Sequence, residues 1–224
     1  VLIRMPMGGG RGYGATHSQS LEKYITGIPN LRVLALSRIH NAGLLVSNIL
    51  KKMKSPTVLI ENKKLYGEKL AVEDNGKIDV FYVTEKGDTF PVYHLTIDKQ
   101  ETADAVIITY GGGAEIAMEA AKELMLRDEL LVNIIVNTQI SPVDMRTMMS
   151  YIGDCANIVS LEEGTLRNGW GAEIIAQLAE TLKGRKYVRI AALDCVIPCG
   201  EELERNVLPD KDKVIEEIRR IVNE

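Results

Sequence analysis

Residues 8–20 read GGGRGYGATHSQS. Five of the seven residues from Gly8 to Gly14 are glycine, and a single histidine, His17, follows among small and polar neighbours. Glycine admits backbone conformations closed to other residues, so such density either shapes the chain around something or makes a strand-to-helix connection. His17 is one of three histidines in the chain. Imidazole is the side chain whose ordinary pKa lies nearest neutrality, which makes His17 the candidate for holding and passing a proton. His40 and His94 lack a comparable setting and read as solvent-facing or locally satisfied.

Three other groups could carry chemistry. Gly111-Gly112-Gly113-Ala114-Glu115 could cradle a phosphate at a helix start. It lacks the G-x-G-x-x-G spacing and an acidic partner for a ribose, which favours close strand–helix packing instead. Glu162 and Glu163 could pass for an acid/base pair. Neighbours on a strand point to opposite faces, so a capping or solvated role fits better. The segment 195–199, CVIPC, is a Cx₃C rather than a redox Cx₂C, and with Cys155 it matches no zinc spacing. Reduced thiols used in packing are the reading.

These residues need elements to hold them. Continuous apolar runs predict buried strands over 32–36, 56–61, 104–110, 130–136, 156–161 and 187–191. Helical spacing predicts helices over 39–53, 114–127, 142–151, 172–182 and 211–222. Pro142 suits a first helical turn, and Ser18 suits the cap of a short helix through Glu22 and Tyr24. Lys and Glu alternate over 210–220 as on an exposed helix face. The span 67–102 is polar, with turn signals at Asp74-Asn75-Gly76 and Lys86-Gly87-Asp88, and two alternating runs that predict a β-hairpin. Buried strands alternating with amphipathic helices imply an α/β fold with a parallel sheet covered on both faces. The expected organisation is a first unit over 1–66, a linker with a hairpin over 67–102, and a second unit over 103–224.

Composition narrows the function classes. The 224 residues are 46% hydrophobic and 26% charged, enough for one large or two modest soluble domains. A net charge of −4 and 5% aromatic residues argue against a nucleic-acid-binding surface. No apolar run approaches the roughly 20 residues of a membrane span. No targeting segment is seen. The strand-like run 1–3 and the missing initiator Met imply a chain that opens inside a domain.

The order of motifs resembles the beta subunit of thiamin-diphosphate-dependent 2-oxo acid dehydrogenases of the pyruvate and branched-chain type. The glycine loop and HSQS are followed by Asn30–Ala35, by Ala42–Leu45 in place of the family's A-K-G-L-L helix, and by Val58–Tyr66 in place of its V-x-L-E-x-x-x-L-Y strand. The later region is similar to the C-terminal domain shared with transketolases, through Gly111–Glu115, Ala120-Ala121, Ser141–Asp144, Glu162–Gly164 and Leu208-Pro209. Transketolases and deoxyxylulose phosphate synthases carry a different sequence around their loop histidine.

The resemblance implies a truncated parallel-sheet pyrimidine-binding domain followed by a complete transketolase C-terminal-like α/β domain. It implies that His17 is catalytic, facing the substrate side of thiamin diphosphate and moving a proton as an acyl group passes to a lipoyl arm. The family's pyrimidine-activating glutamate lies upstream of the glycine loop, and its diphosphate and magnesium site lies on an alpha subunit or fused alpha half. No cofactor-binding or metal residue is therefore assigned in this chain, and the isolated chain is expected to be inactive. Implied partners are that alpha portion, a second beta copy and a lipoyl acyltransferase core, in a bacterial cytoplasm or an organelle matrix. The turn Lys51-Lys52-Met53-Lys54-Ser55 is basic where the family's monovalent-cation site uses an acidic side chain. Asn137-Thr138 and Cys199-Gly200 also depart from the usual pattern. A non-catalytic assembly module and a transketolase-like or deoxyxylulose-phosphate-synthase-like enzyme are the alternative readings.

Overall fold

A computed structural model describes residues 1–71, 74–87, 89–99 and 102–224. Asp88 of the second turn signal, and residues 72–73 and 100–101 of the 67–102 span, lie outside the described residues. The elements in chain order are β1 (Leu2–Met7), α1 (Gly14–His17), β2 (Arg32–Leu36), α2 (Ala42–Lys52), β3 (Thr57–Asn62), β4 (Lys77–Ile78), β5 (Phe81–Lys86) and β6 (Val92–Thr96). They continue with β7 (Ala105–Thr109), α3 (Gly113–Asp128), β8 (Val132–Asn137), β9 (Gln139–Ser141), α4 (Met145–Ile152), β10 (Asn157–Thr165), α5 (Trp170–Thr181), β11 (Lys186–Ala192), α6 (Glu201–Val207) and α7 (Lys211–Asn223).

Two sheets form. The first has the order β1-β3-β2-β9, parallel except for β9, and the second β11-β10-β7-β8-β6-β5-β4. In the second sheet β11, β10, β7 and β8 are parallel, as the continuous apolar runs predict. The other half is antiparallel, because β6, β5 and β4 add on beside β8. The hairpin expected inside a linker is therefore part of the main sheet. Phe81 and Leu95 are fully buried in its core, which anchors β5 and β6 there.

Side-chain alternation explains why the strands read as unbroken apolar runs. Ala105 and Ile107 enter one core with α3 and α7, whereas Val106 and Ile108 enter a second with α4 and α5. Val33, Ala35, Val58 and Ile60 of the first sheet join that second core, and Leu34 and Leu59 turn the other way onto α2. One apolar layer is thus shared by both sheets. The chain also crosses between them at Thr138, whose carbonyl accepts from Ala35 N at 2.9 Å, so β8 and β9 lie in different sheets.

Caps set the helix ends. Asn41, Asp144 and Asp210 accept from Leu44 N, Thr147 N and Lys213 N at 3.0, 3.0 and 2.9 Å. The Asp144 cap starts α4 at Met145, so Pro142 precedes the helix rather than opening it. Ser18 does not cap the Glu22–Tyr24 turn: it ends α1, and that 3₁₀ turn has no side-chain cap. On α7, Val214, Ile215, Ile218 and Ile221 are buried at helical spacing and the intervening charges face outward. No described helix is long and apolar enough to cross a membrane.

Phe81 tests whether the hairpin belongs to the core. Phe81→Ala should lower unfolding stability by about 3–5 kcal/mol, as for a fully buried aromatic. Urea denaturation checks this; a change under about 0.5 kcal/mol would show that the hairpin hangs on the sheet as a spacer.

Candidate functional site

The glycine loop adopts an alternating backbone. Gly8, Gly10, Gly12 and Gly14 have φ of 104°, 77°, 73° and 66°, and the residues between them do not lie in the left-handed region. Alternation of this kind turns successive N–H groups toward one point and makes a concavity for an anion. Two glutamates from the second half of the chain supply the negative charge. Glu204 of α6 accepts from Gly12 N at 2.5 Å, and Glu163 of β10 accepts from Gly9 N at 2.6 Å. Glu163 also accepts from Ser20 Oγ at 2.8 Å and Asn62 Nδ2 at 3.0 Å.

Close approach explains two of the glycines. A side chain at Gly9 would run into Leu208 and Glu204, and one at Gly14 into the Cys199 thiol. Tyr13 and Cys199 form an isolated β-bridge, so the second cysteine of CVIPC packs against the loop. Cys155, Cys195 and Cys199 are all free thiols.

α1 emerges directly from the loop and ends at His17, whose side chain is exposed. The His17 carbonyl accepts from Lys63 Nζ, which ties the end of α1 to the turn after β3. A cavity of about 400 Å³ lies beside the loop, lined among others by Gly9, Gly10, Asn62, Lys64, Gly112 and Glu163. His17 does not line it and faces outward instead.

The segment after His17 is anchored to the same region. Tyr110 OH donates to Glu22 Oε1 at 2.6 Å, and both residues are buried. Burial raises the Glu22 carboxyl above the ordinary carboxylate range, and burial with the nearby carboxylates raises the Tyr110 phenol. Glu162 lies next to this cluster and caps α5 from the neighbouring strand. It accepts from Trp170 N at 2.6 Å and Gly171 N at 2.8 Å, in place of the side chain that Gly169 lacks. Burial pushes Glu162 up to about 7.

The sequence expectations fare unevenly. Glu162 has the capping role, whereas Glu163 is neither cap nor solvated: it holds the glycine loop. At the GGGAE turn a side chain on Gly113 would collide with Thr109 and one on Gly112 with Asn62, the close packing expected there. His40 is buried and locally satisfied. Ser37 N donates to its Nδ1 at 3.0 Å, so Nε2 carries the proton and donates to Thr138 Oγ1 at 2.7 Å. Burial lowers His40 to about 4 and keeps it neutral. His94 is half-buried and stacks on Tyr151 at 4.6 Å between ring centroids; burial, then Lys86, lower it to about 4. Glu204 and Glu22 were missed, because only the fold brings them to the loop. Among the described residues there is no group of three or more His, Cys, Asp or Glu placed to hold a metal ion.

Glu162 carries a pH prediction. Its folded-state pKa is raised, so its stabilising share is fully present below the unfolded value and is lost as pH rises through about 7. Glutamine has no such dependence. Between pH 5 and 7.5 the wild-type chain should lose about 2–3 kcal/mol relative to Glu162→Gln. Denaturant unfolding of both proteins at the two pH values measures it, and a pH-independent difference refutes it.

Comparison with known proteins follows the same outline. Residues 94–214 match the family described as the transketolase C-terminal domain. The chain is 31% identical to the pyruvate dehydrogenase E1 component subunit beta of Staphylococcus aureus, over 98% of this chain and 64% of that protein. It is 28% identical to the mitochondrial pyruvate dehydrogenase E1 subunit beta of Saccharomyces cerevisiae, over 100% of this chain and 59% of that protein. The chain thus spans about three-fifths of the length of these relatives. Among solved structures, a split-gene transketolase described as an inactive beta4 tetramer aligns with a TM-score of 0.67 and 18% identity, over 98% of this chain and 66% of that one. Transketolase from Leishmania mexicana aligns with a TM-score of 0.65 and 17% identity, over 97% and 29%. At such identity the likeness concerns the fold. With residues 94–214 of its 224 matched, the chain belongs to the transketolase C-terminal domain family.

Proposed function

We propose that this chain is the greater part of a beta subunit, or beta portion, of a thiamin-diphosphate-dependent 2-oxo acid dehydrogenase. The observation that carries the reading is the exposed imidazole of His17, presented by a loop whose backbone is fixed on both sides by carboxylates. The whole-length likeness to pyruvate dehydrogenase E1 beta subunits supports it.

An outward-facing imidazole on a rigid loop fits one wall of a site completed by other chain segments. Thiamin diphosphate, bound with magnesium in the intact enzyme, would supply the electron sink that lets a 2-oxo acid lose carbon dioxide. His17 would hold a proton on its imidazole beside the developing charge and release it as the acyl group passes to a lipoyl acceptor. The glycine loop and Lys63 would keep that ring at a fixed place, so that it is oriented before substrate arrives. The cofactor's pyrimidine and diphosphate contacts would come from outside this chain, from an upstream segment and an alpha partner. A second beta copy and a lipoyl acyltransferase core complete the proposed partners. The compartment is a bacterial cytoplasm or an organelle matrix, where such relatives would work. HSQS separates this reading from a transketolase-like activity.

In the full-length enzyme assembled with its alpha portion, His17→Ala should reduce turnover with a lipoyl acceptor by at least ~100-fold. Steady-state assays check this, and unchanged turnover removes His17 from the mechanism. Calorimetry of the 224-residue chain with thiamin diphosphate and magnesium should give no tight binding; a micromolar complex would show that the chain holds the cofactor by itself.

A further inference from the structure

Glu204 stands outside every motif that supports the proposed function, yet its carboxylate is packed against the glycine loop. Its side chain is fully buried (0% exposed) and Oε2 accepts from Gly12 N across 192 residues of sequence. A buried carboxylate is retained only where donors replace its water. Here burial pushes its pKa up, but the backbone N–H groups of the loop, that of Gly12 first, outweigh this and hold it below the ordinary range. Gly12 N, the donor to Oε2, lies two residues before α1, while Oε1 has no hydrogen-bond partner among the described residues.

The surrounding contacts leave the loop little choice. Gly200 N donates to Gly12 O at 3.4 Å, and Cys199 bridges Tyr13, so the segment entering α6 runs along the loop. Leu208 at the end of α6 meets Gly9. The other carboxylate, Glu163, grips the loop at Gly9 and touches neither α1 nor its ends. Glu204 is therefore the carboxylate whose hydrogen bond holds the loop just before it turns into α1.

We propose that Glu204 is a positioning residue for His17: its buried carboxylate fills the concavity of the glycine loop and so fixes the direction in which α1 presents the imidazole. The loop is shaped around an anion supplied by the protein itself. The catalytic consequence rests on the role of His17 proposed above; the anchoring of the loop does not.

The test uses the full-length enzyme with its alpha portion and two substitutions, Glu204→Gln and Glu204→Asp. Glutamine places an NH₂ group among the loop N–H donors, whereas aspartate keeps the charge. Hydrogen exchange by mass spectrometry reads the loop directly. Residues 8–18 should exchange at least ~10-fold faster in the glutamine variant and less so in the aspartate variant. Lipoyl acylation should fall by ~10-fold or more in kcat with little change in KM for the 2-oxo acid. Combined with His17→Ala, Glu204→Gln should cause no further loss, because the group it positions is gone. Equal fold-losses with and without His17, or unchanged exchange over 8–18 in both variants, would overturn the proposal. If His17→Ala leaves turnover intact, the role of His17 fails, and the exchange measurement still decides whether Glu204 anchors the loop. If the glutamine variant does not fold, the aspartate variant carries both measurements.

Discussion

The site depends on the desolvation of two carboxylates. Glu204 is fully buried and Glu163 half-buried, and each takes a backbone N–H of the glycine loop as a donor. The glycine loop provides donors from its own backbone, because positive φ at every second residue turns N–H groups inward. The dependence runs both ways. Without the carboxylates, a stretch of five glycines in seven residues would be among the most mobile in the chain. Without the glycines, Glu163 would keep only Ser20 and Asn62, and Glu204 would be a buried charge without a partner, an arrangement that costs several kcal/mol.

This constraint explains why the two sheets must dock before the loop has a shape. The loop follows β1 of the first sheet, whereas its acceptors sit on β10 of the second and on α6 beyond it. The interlayer core of Val33, Ala35, Val58 and Ile60 against Val106, Ile108, Trp170 and Ile174 fixes that docking. Polar links crossing the same boundary add direction: His40 to Thr138 and Tyr110 to Glu22. Apolar burial supplies the bulk of the association and the hydrogen bonds select one register, since a slipped arrangement would leave Glu22 or His40 buried without partners.

The arrangement also divides the labour between the parts of the fold. The strands and helices of residues 94–214 form the family's shared framework. The feature particular to the site, an imidazole at the end of a four-residue helix, lies outside that span and is held from within it. A loop clamped in this way can present a side chain to an incoming surface without first paying an ordering entropy. On the proposed reading, that surface belongs to the alpha partner and its cofactor.

Much of the framework was legible in the residues themselves. Continuous apolar runs located the buried strands, because a strand covered on both faces has no polar side to show. Helical spacing located α2, α3, α5 and α7, and the GGGRGYGATHSQS pattern singled out the loop and its histidine. What the residues could not show was decided by contacts between distant segments. The span 67–102 reads as a linker with a β-hairpin, but β8 offers that hairpin an edge and the core accepts Phe81 and Leu95, so it completes a sheet. Glu163 reads as a capping or solvated acid and Glu204 stands in no motif, because local sequence carries no sign that their donors lie more than 150 residues away. The sequence by itself determined which backbone could wrap an anion, through the freedom of glycine. Only the tertiary structure decided which anion it wraps, because a buried charge is defined by what packs around it.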